Sequence, residues 1–299
     1  MSDDAGFRAG FVAVVGRPNV GKSTLVNALV GARVAIVSRR PQSTRRRILA
    51  VVNRPRVQLV LVDSPGLHAG GGRALNRALN ASARSAAEDA DAVLLVVEAG
   101  QWRTDDERVL DVVRATGLPA LLVLNKIDRI RPRSALLPLI QEVAARHAFV
   151  AVAPVAAARS ENLEKLTAVL EPLMPESPAL FPPGEITDQG PAERAAETVR
   201  EALIERVGQE LPYATFVTLD RYEKEGEHLH VEATIWVERE SQKGIVIGAG
   251  GRMAKAIGTA ARISLETELH CPVMLRLWVR VRPGWNEDPQ TLAQLGIGQ

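Results

Sequence analysis

The stretch "FVAVVGRPNVGKSTLVNALVG", Phe11 to Gly31, constrains the fold more than any other. An apolar run predicts a strand, a glycine loop follows, and the next residues take helical spacing closed by a glycine. Gly16, Arg17, Pro18, Asn19, Val20, Gly21, Lys22 and Ser23 fit G-x-x-x-x-G-K-S in full, with Thr24 just behind. Glycines let backbone N–H groups face phosphate oxygens, and the helix N-terminus adds partial positive charge. Lys22 is placed to reach β- and γ-phosphates, and the Ser23 hydroxyl to hold Mg²⁺. A strand, loop and helix of this kind belong to a doubly wound α/β sheet, whose ligands gather at the carboxyl ends of strands.

The apolar runs that follow support that sheet. "VQLVLVDSPG", "DAVLLVVEAG" and "PALLVLNKID" each read as a buried strand ending in a polar loop. In the first, Asp63, Ser64, Pro65 and Gly66 form D-x-x-G behind the phosphate loop. Asp63 is placed to hold Mg²⁺ through water, and the Gly66 N–H to meet the γ-phosphate. In the last, Asn125, Lys126, Ile127 and Asp128 end the strand. A carboxylate there accepts from the N1–H and 2-amino groups of guanine, which adenine does not offer, so GTP and GDP are selected over ATP. Between these motifs lies "SRRPQSTRRRI", where Thr44 is the residue expected to close over Mg²⁺ when a γ-phosphate is present. Its arginines, Arg39, Arg40 and Arg45 to Arg47, suit either a solvated loop or an RNA contact.

At 299 residues two domains are expected, and 46% apolar with 24% charged residues suits chains with proper cores. A net charge of +2 means that any nucleic-acid affinity must come from a local patch. The single cysteine, Cys271, rules out an intrachain disulfide and cysteine-cluster metal sites, and suits a reducing cytoplasm. The opening "MSDDAGFRAG" has no secretory pattern, and the apolar runs are too short to span a bilayer. A proline-rich stretch from Met174 to Pro191 reads as a linker. Beyond it the pattern becomes α-β-β-α-α-β with antiparallel character: "AERAAETVREALIERVGQEL", strands "YATFVTLDRYE" and "HLHVEATIWVERE" about a "KEGE" turn, two helices, and "VMLRLWVRVR". Trp236 and Trp278 fall inside strands and are expected in the core. His228 and His230 are expected to be ordinary surface residues, since no third metal ligand is evident.

Between those two helices, "GIVIGAGGRMAKAIG" carries a second glycine-dense turn. It lacks the lysine-serine pair and follows a helix, so it is no nucleotide cradle. Gly248, Ala249, Gly250 and Gly251 fit the G-x-x-G clamp that brings bare backbone to single-stranded RNA. Lys243, Ile247, Arg252 and Lys255 flank it. From Glu240 to Trp285, seven Lys/Arg stand against three Glu, a surplus of four that favours a phosphate-tracking groove.

In order, "GRPNVGKST", "PQSTR", "DSPGLH", "NKID", "ITDQ", "ELPYA", "SQKGIVIGAGG" and "LWVRVRPGW" make the chain resemble the Era family of GTPases, from about Phe11 to Ile297. The resemblance implies an α/β Ras-like P-loop NTPase domain followed by a smaller α+β type II KH domain. It divides the chain into 1–176, a linker at 177–190, and 191–299. It implies GTP hydrolysis with Mg²⁺, binding to the 3′ end of 16S rRNA, and a role in assembling the 30S ribosomal subunit as a cytoplasmic monomer. An alternative is a nucleotide-gated RNA-binding module whose hydrolysis is incidental. A peripheral contact at the cytoplasmic face of the cell membrane comes only with the resemblance, since the sequence has no amphipathic anchor. Ala156 and Ala157 stand where a Ser-Ala pair usually backs the guanine; the backbone N–H that meets the guanine oxygen is retained and a hydroxyl is lost. Ser64 replaces a threonine, and Ala249 replaces a lysine of the clamp. Leu67 occupies the place of a water-orienting glutamine, so turnover is expected to be slow, with Lys22, Thr44 and Gly66 carrying the catalysis. Asn19 matches an asparagine that holds K⁺ in some related GTPases.

Overall fold

A computed structural model describes residues 6–38, 44–65, 74–208, 211–295 and 297. It divides into two compact units, one of described residues up to Val37 and from Thr44 to Asp188, the other Gln189–Leu292.

The first unit runs β1 (Arg8–Val15), α1 (Lys22–Val30), β2 (Ile48–Asn53), β3 (Val57–Asp63), α2 (Ala74–Glu88), β4 (Ala92–Glu98), α3 (Thr104–Thr116), β5 (Ala120–Asn125), α4 (Leu136–Ala144), β6 (Ala151–Pro154) and α5 (Leu163–Leu170). The strands form one sheet in the order β2-β3-β1-β4-β5-β6, with β2 antiparallel to β3 and the other pairs parallel. Every residue of β3 is buried, as its unbroken apolar run requires when both sheet faces are covered. On one face Val14, Leu59 and Leu94 pack with Leu25 and Leu29 of α1 and Leu166 of α5. On the other, Val15, Leu95 and Leu122 pack with Val109, Leu110 and Val113 of α3. Each such side chain contributes about 1.5–3 kcal/mol by leaving water.

The proline-rich stretch is not free. The Gln58 side chain accepts from the N–H groups of Leu180 (2.7 Å) and Phe181 (2.8 Å) and donates to the Phe181 carbonyl at 3.0 Å. Asn53 donates to the Glu185 carbonyl, and the Val51 N–H to the carbonyl of Ile186 at 2.9 Å. Met174 is buried against the sheet. The segment lies along the open side of β2 and satisfies its backbone, which composition alone did not reveal.

The second unit contains α6 (Pro191–Arg206), β7 (Thr215–Glu225), β8 (His228–Val237), α7 (Glu240–Ile247), α8 (Arg252–Leu269) and β9 (Val273–Val281), the expected order. Its sheet is β7-β8-β9, but only β7 and β8 are antiparallel; β9 runs parallel to β8, so the sheet is mixed. Ala233 and Ile235 of β8 form the core with Val199 and Leu203 of α6 and Ile257 and Ala261 of α8. Along β9 buried or half-buried residues alternate with exposed ones, as in a strand covered on one face only. This alternation overturns one expectation: Trp278 is 49% exposed, not core. Trp236 is half-buried, its indole N–H donating to Thr218 Oγ1 at 2.9 Å and its ring stacked on Phe216. His228 is exposed, and His230 lies 3.5 Å from Glu225 with no metal-binding cluster among the described residues.

Candidate nucleotide and RNA sites

The phosphate loop joins β1 to α1. Gly21 has φ 98°, and a Cβ there would lie 2.4 Å from Asn125 Nδ2, so the position needs glycine twice over. The Lys22 ammonium donates to the carbonyls of Gly16 (3.0 Å) and Arg17 (3.2 Å), which hold it across the loop. Burial lowers its pKa to about 8, against the opposing pull of the Asp63 charge.

Three oxygens converge beside it. Ser23 Oγ lies 3.0 Å from Thr44 Oγ1 and 3.0 Å from Asp63 Oδ2, and Thr44 Oγ1 lies 3.3 Å from the same carboxylate oxygen. Asp63 is fully buried, which pushes its carboxyl pKa up, and its Oδ1 has no hydrogen-bond partner. An oxygen-only donor set with an unpartnered buried carboxylate oxygen fits Mg²⁺. Bound there, the ion would offset charge between the β- and γ-phosphates. Ser64 donates to the Val14 carbonyl at 3.2 Å, anchoring the turn. Gly66 and Leu67, like Arg39 and Arg40, lie outside the described residues.

The base motif is tied to this loop. Asn125 donates to the Val20 carbonyl (2.9 Å) and accepts from the N–H of Lys126 (2.8 Å) and of Ala157 (3.1 Å). Both N–H groups of the alanine pair expected to back the guanine are thus engaged, that of Ala157 by Asn125 and that of Ala156 by the Glu161 carbonyl. Asp128 stays partly exposed, with Arg159 3.7 Å away.

Two residues that sequence reasoning passed over, Asp106 and Glu98, complete the arrangement. Arg17 sends its guanidinium away from the loop to Asp106 of α3 (3.0 Å) and, at 3.7 Å, to Glu98 at the end of β4. Glu98 also meets Lys126 (2.8 Å) and Arg129 (2.9 Å), and Lys126 donates to the Asn19 carbonyl at 2.6 Å. Burial works to raise the Glu98 pKa; the hydrogen bond and charge of Lys126, with Arg129 and Arg17, outweigh it and hold the carboxyl low. The signal was available: "VVEAG" ends an apolar strand in a carboxylate. Among the named loop residues, then, Arg17 contributes main chain while its side chain braces the loop.

In the second unit, α7 ends at Gly248, whose φ is 71° and where a Cβ would press on Met253 at 2.8 Å. Gly250 and Gly251 have φ 60° and 77°, with nothing within 4 Å of an added Cβ. Their backbone faces open space, as a phosphate-gripping turn requires. Ala249, Arg252 and Lys255 are exposed; Arg252 donates across the turn to the Ala249 carbonyl at 3.2 Å. Lys243 pairs with Glu240 at 3.7 Å, and Ile247 is half-buried.

A largely parallel sheet with this loop, oxygen cluster and base motif, joined to a glycine-clamp unit, defines a P-loop GTPase carrying a KH domain. Family models agree: 50S ribosome-binding GTPase matches residues 11–126 and KH domain residues 210–286. The chain is 49% identical to GTPase Era of Stenotrophomonas maltophilia (strain R551-3) over 296 residues, 99% of each chain. It is 49% identical to GTPase Era of Xanthomonas axonopodis pv. citri (strain 306) over 289 residues, 97% of each. A crystal structure of an Aquifex aeolicus Era variant bound to GDP·AlF4⁻ superposes with a TM-score of 0.93 at 35% identity, covering 97% of this chain and 99% of that one. A crystal structure of Era with MgGDPNP and nucleotides 1506–1542 of 16S ribosomal RNA gives 0.93 at 36%, with the same coverage. The chain belongs to the GTPase Era family and is a GTP hydrolase.

Proposed function

We propose that this chain uses its GTP and GDP states to control its hold on the 3′ end of 16S rRNA, and so times a step in small (30S) ribosomal subunit assembly. The observation that carries this reading is the pair of glycine turns: Gly16–Lys22 backed by a helix N-terminus, and Gly248–Gly251, where Gly250 and Gly251 face open space beside Arg252 and Lys255. The solved Era complex with MgGDPNP and a 16S rRNA fragment supports it. Residues 1–176 take the nucleotide, 191–299 the RNA, and 177–190 joins them.

Lys22 binds the β- and γ-phosphates; Ser23, Thr44 and Asp63 hold Mg²⁺; Gly66 senses the γ-phosphate; Asp128 reads guanine. Asn19, in the left-handed region at φ 64°, is the candidate K⁺ ligand. Equal hydrolysis rates in K⁺ and Na⁺ would remove that ion from the scheme. The protein works in the cytoplasm as a monomer. None of the described helices is long and apolar enough to cross a membrane, and a peripheral contact rests on the family resemblance alone.

The test is RNA binding and turnover with the fragment spanning nucleotides 1506–1542. Affinity should differ between GDP and GDPNP, Gly251→Asp should abolish it while sparing GDP binding, and the RNA should stimulate hydrolysis. Wild-type RNA affinity in Gly251→Asp overturns the clamp. Absence of stimulation favours the gated binding module over the timed enzyme. Asp128→Asn should move preference from GTP toward xanthosine triphosphate, because an amide no longer accepts from both guanine donors.

A further inference from the structure

The KH sheet has a second face that the G-x-x-G turn does not use. Along β9, Leu275, Leu277 and Val279 turn toward the helices, and Gly258 of α8 packs close to Leu277. Met274, Arg276, Trp278 and Arg280 point the other way and are exposed, Met274 and Trp278 each by 49%. Among the described residues the Trp278 side chain makes no hydrogen bond or ring contact, unlike that of Trp236, which is stacked and hydrogen-bonded, and that of Trp285, which is buried. On either side of it, about 7 Å away along the strand, stand two guanidinium groups. Arg280 forms no ion pair among the described residues. Arg276 reaches Glu232 at 3.3 Å with 70% of its side chain exposed. That pair is too solvated to hold the arginine in place. The next arginine, Arg282, bonds Thr291 at 2.6 Å and is tied to the following loop.

We infer that this outer strand face is a second RNA-contact surface, in which a nucleobase stacks on Trp278 and its neighbouring phosphates pair with Arg276 and Arg280. An uncovered indole between two exposed guanidiniums matches what single-stranded nucleic acid needs, a stacking plane with phosphate partners beside it. The position favours RNA over a protein partner. β9 is an edge strand, and its inner side backs the helices that carry the G-x-x-G turn, so both surfaces belong to the same small unit. Among the described residues Arg276 pairs with Glu232 and Arg280 pairs with no acid, which leaves one positive charge of the stripe uncompensated. The inference rests on the clamp reading, since it concerns RNA already held there.

The test uses the full chain, in GDPNP and Mg²⁺, with a labelled RNA of nucleotides 1506–1542 of 16S rRNA titrated over a range of salt. Trp278→Ala should weaken binding about tenfold, and Trp278→Phe, which keeps a stacking ring, by no more than about threefold. Arg276→Gln combined with Arg280→Gln should weaken it and lower the slope of log affinity against log salt by about 1–2. GDP affinity and RNA-free hydrolysis should stay at wild-type level in all three, which separates lost contact from lost fold. Wild-type affinity and slope in Trp278→Ala and in the double variant, with Gly251→Asp still inactive in binding, overturns this surface alone. If Gly251→Asp also binds normally, the clamp reading falls with it. Unchanged RNA binding accompanied by loss of a protein partner or of self-association assigns the face to protein and overturns the inference.

Discussion

Glu98 meets three cations, Arg17, Lys126 and Arg129, within 4 Å. It thereby holds the phosphate loop and the base loop against one strand end. Because its folded pKa lies below the ordinary 4.5, its contribution to stability is complete above that value and is lost as pH falls through the lowered one. Denaturant melts of wild type and Glu98→Gln should therefore differ by a constant amount above pH 5 and converge below; a gap that widens on acidification would contradict the arrangement. Asp106 is fully buried against Arg17. Asp106→Asn should cost about 3 kcal/mol, because it leaves a buried guanidinium short of counter-charge. Combining it with Arg17→Met should recover part of that loss, so a double-mutant cycle with no coupling would show the pair to be incidental. Neither Glu98 nor Asp106 belongs to a nucleotide motif. The spacing of G-x-x-x-x-G-K-S, D-x-x-G and N-K-x-D could be read directly, since each is local; the brace behind them joins residues far apart in the chain.

At the level of elements, the segment after α5 is the instructive one. Prolines and glycines correctly announced the absence of helix or strand, but they say nothing about where backbone hydrogen bonds go. Gln58 was the available sign. A lone amide inside the otherwise apolar "VQLVLVD" must find partners when both faces of the strand are buried, and it finds Leu180 and Phe181. Gln58→Ala removes both acceptor contacts and should destabilise the unit by about 1–3 kcal/mol. It should also raise hydrogen exchange at residues 180–188 above that of β1 and β4. Equal protection of the strap in wild type and variant would show the amide to be dispensable. In the second unit, the difference between β3 and β9 repeats the point. A continuous apolar run is buried on both faces, whereas the alternating "VMLRLWVRV" leaves every second side chain to water, Trp278 included.

At the scale of the molecule, the two apolar cores share no residue: Val14, Leu94 and Leu122 belong to one unit, Leu203, Ile235 and Ile257 to the other. Calorimetry with saturating Mg²⁺ and GDP should therefore shift one transition upward, by about 2.7 kcal/mol of added stability at a hundredfold excess over Kd, and leave the other in place. A single transition moving as a whole would mean that the units unfold together. The order of elements in the second unit was legible, as were four strands of the first unit and the G-x-x-G turn, because periodicity and glycine placement are properties of neighbouring residues. The parallel pairing of β9 with β8 was not, since strand direction depends on a crossover and not on the strand's own pattern.

From residue order alone came the G-x-x-x-x-G-K-S loop, the convergence of Ser23, Thr44 and Asp63 as proposed ion donors, and the proposals of a guanine-reading Asp128 and an RNA clamp at Gly248–Gly251, all of which rest on short spacings enforced by backbone geometry. Only the folded chain decided that Arg17 turns from the phosphates to Asp106, that the Ala157 N–H serves Asn125, that the proline-rich stretch lies along β2, and that Trp278 faces water. Those outcomes depend on which distant groups reach each other first, a competition that local pattern does not record.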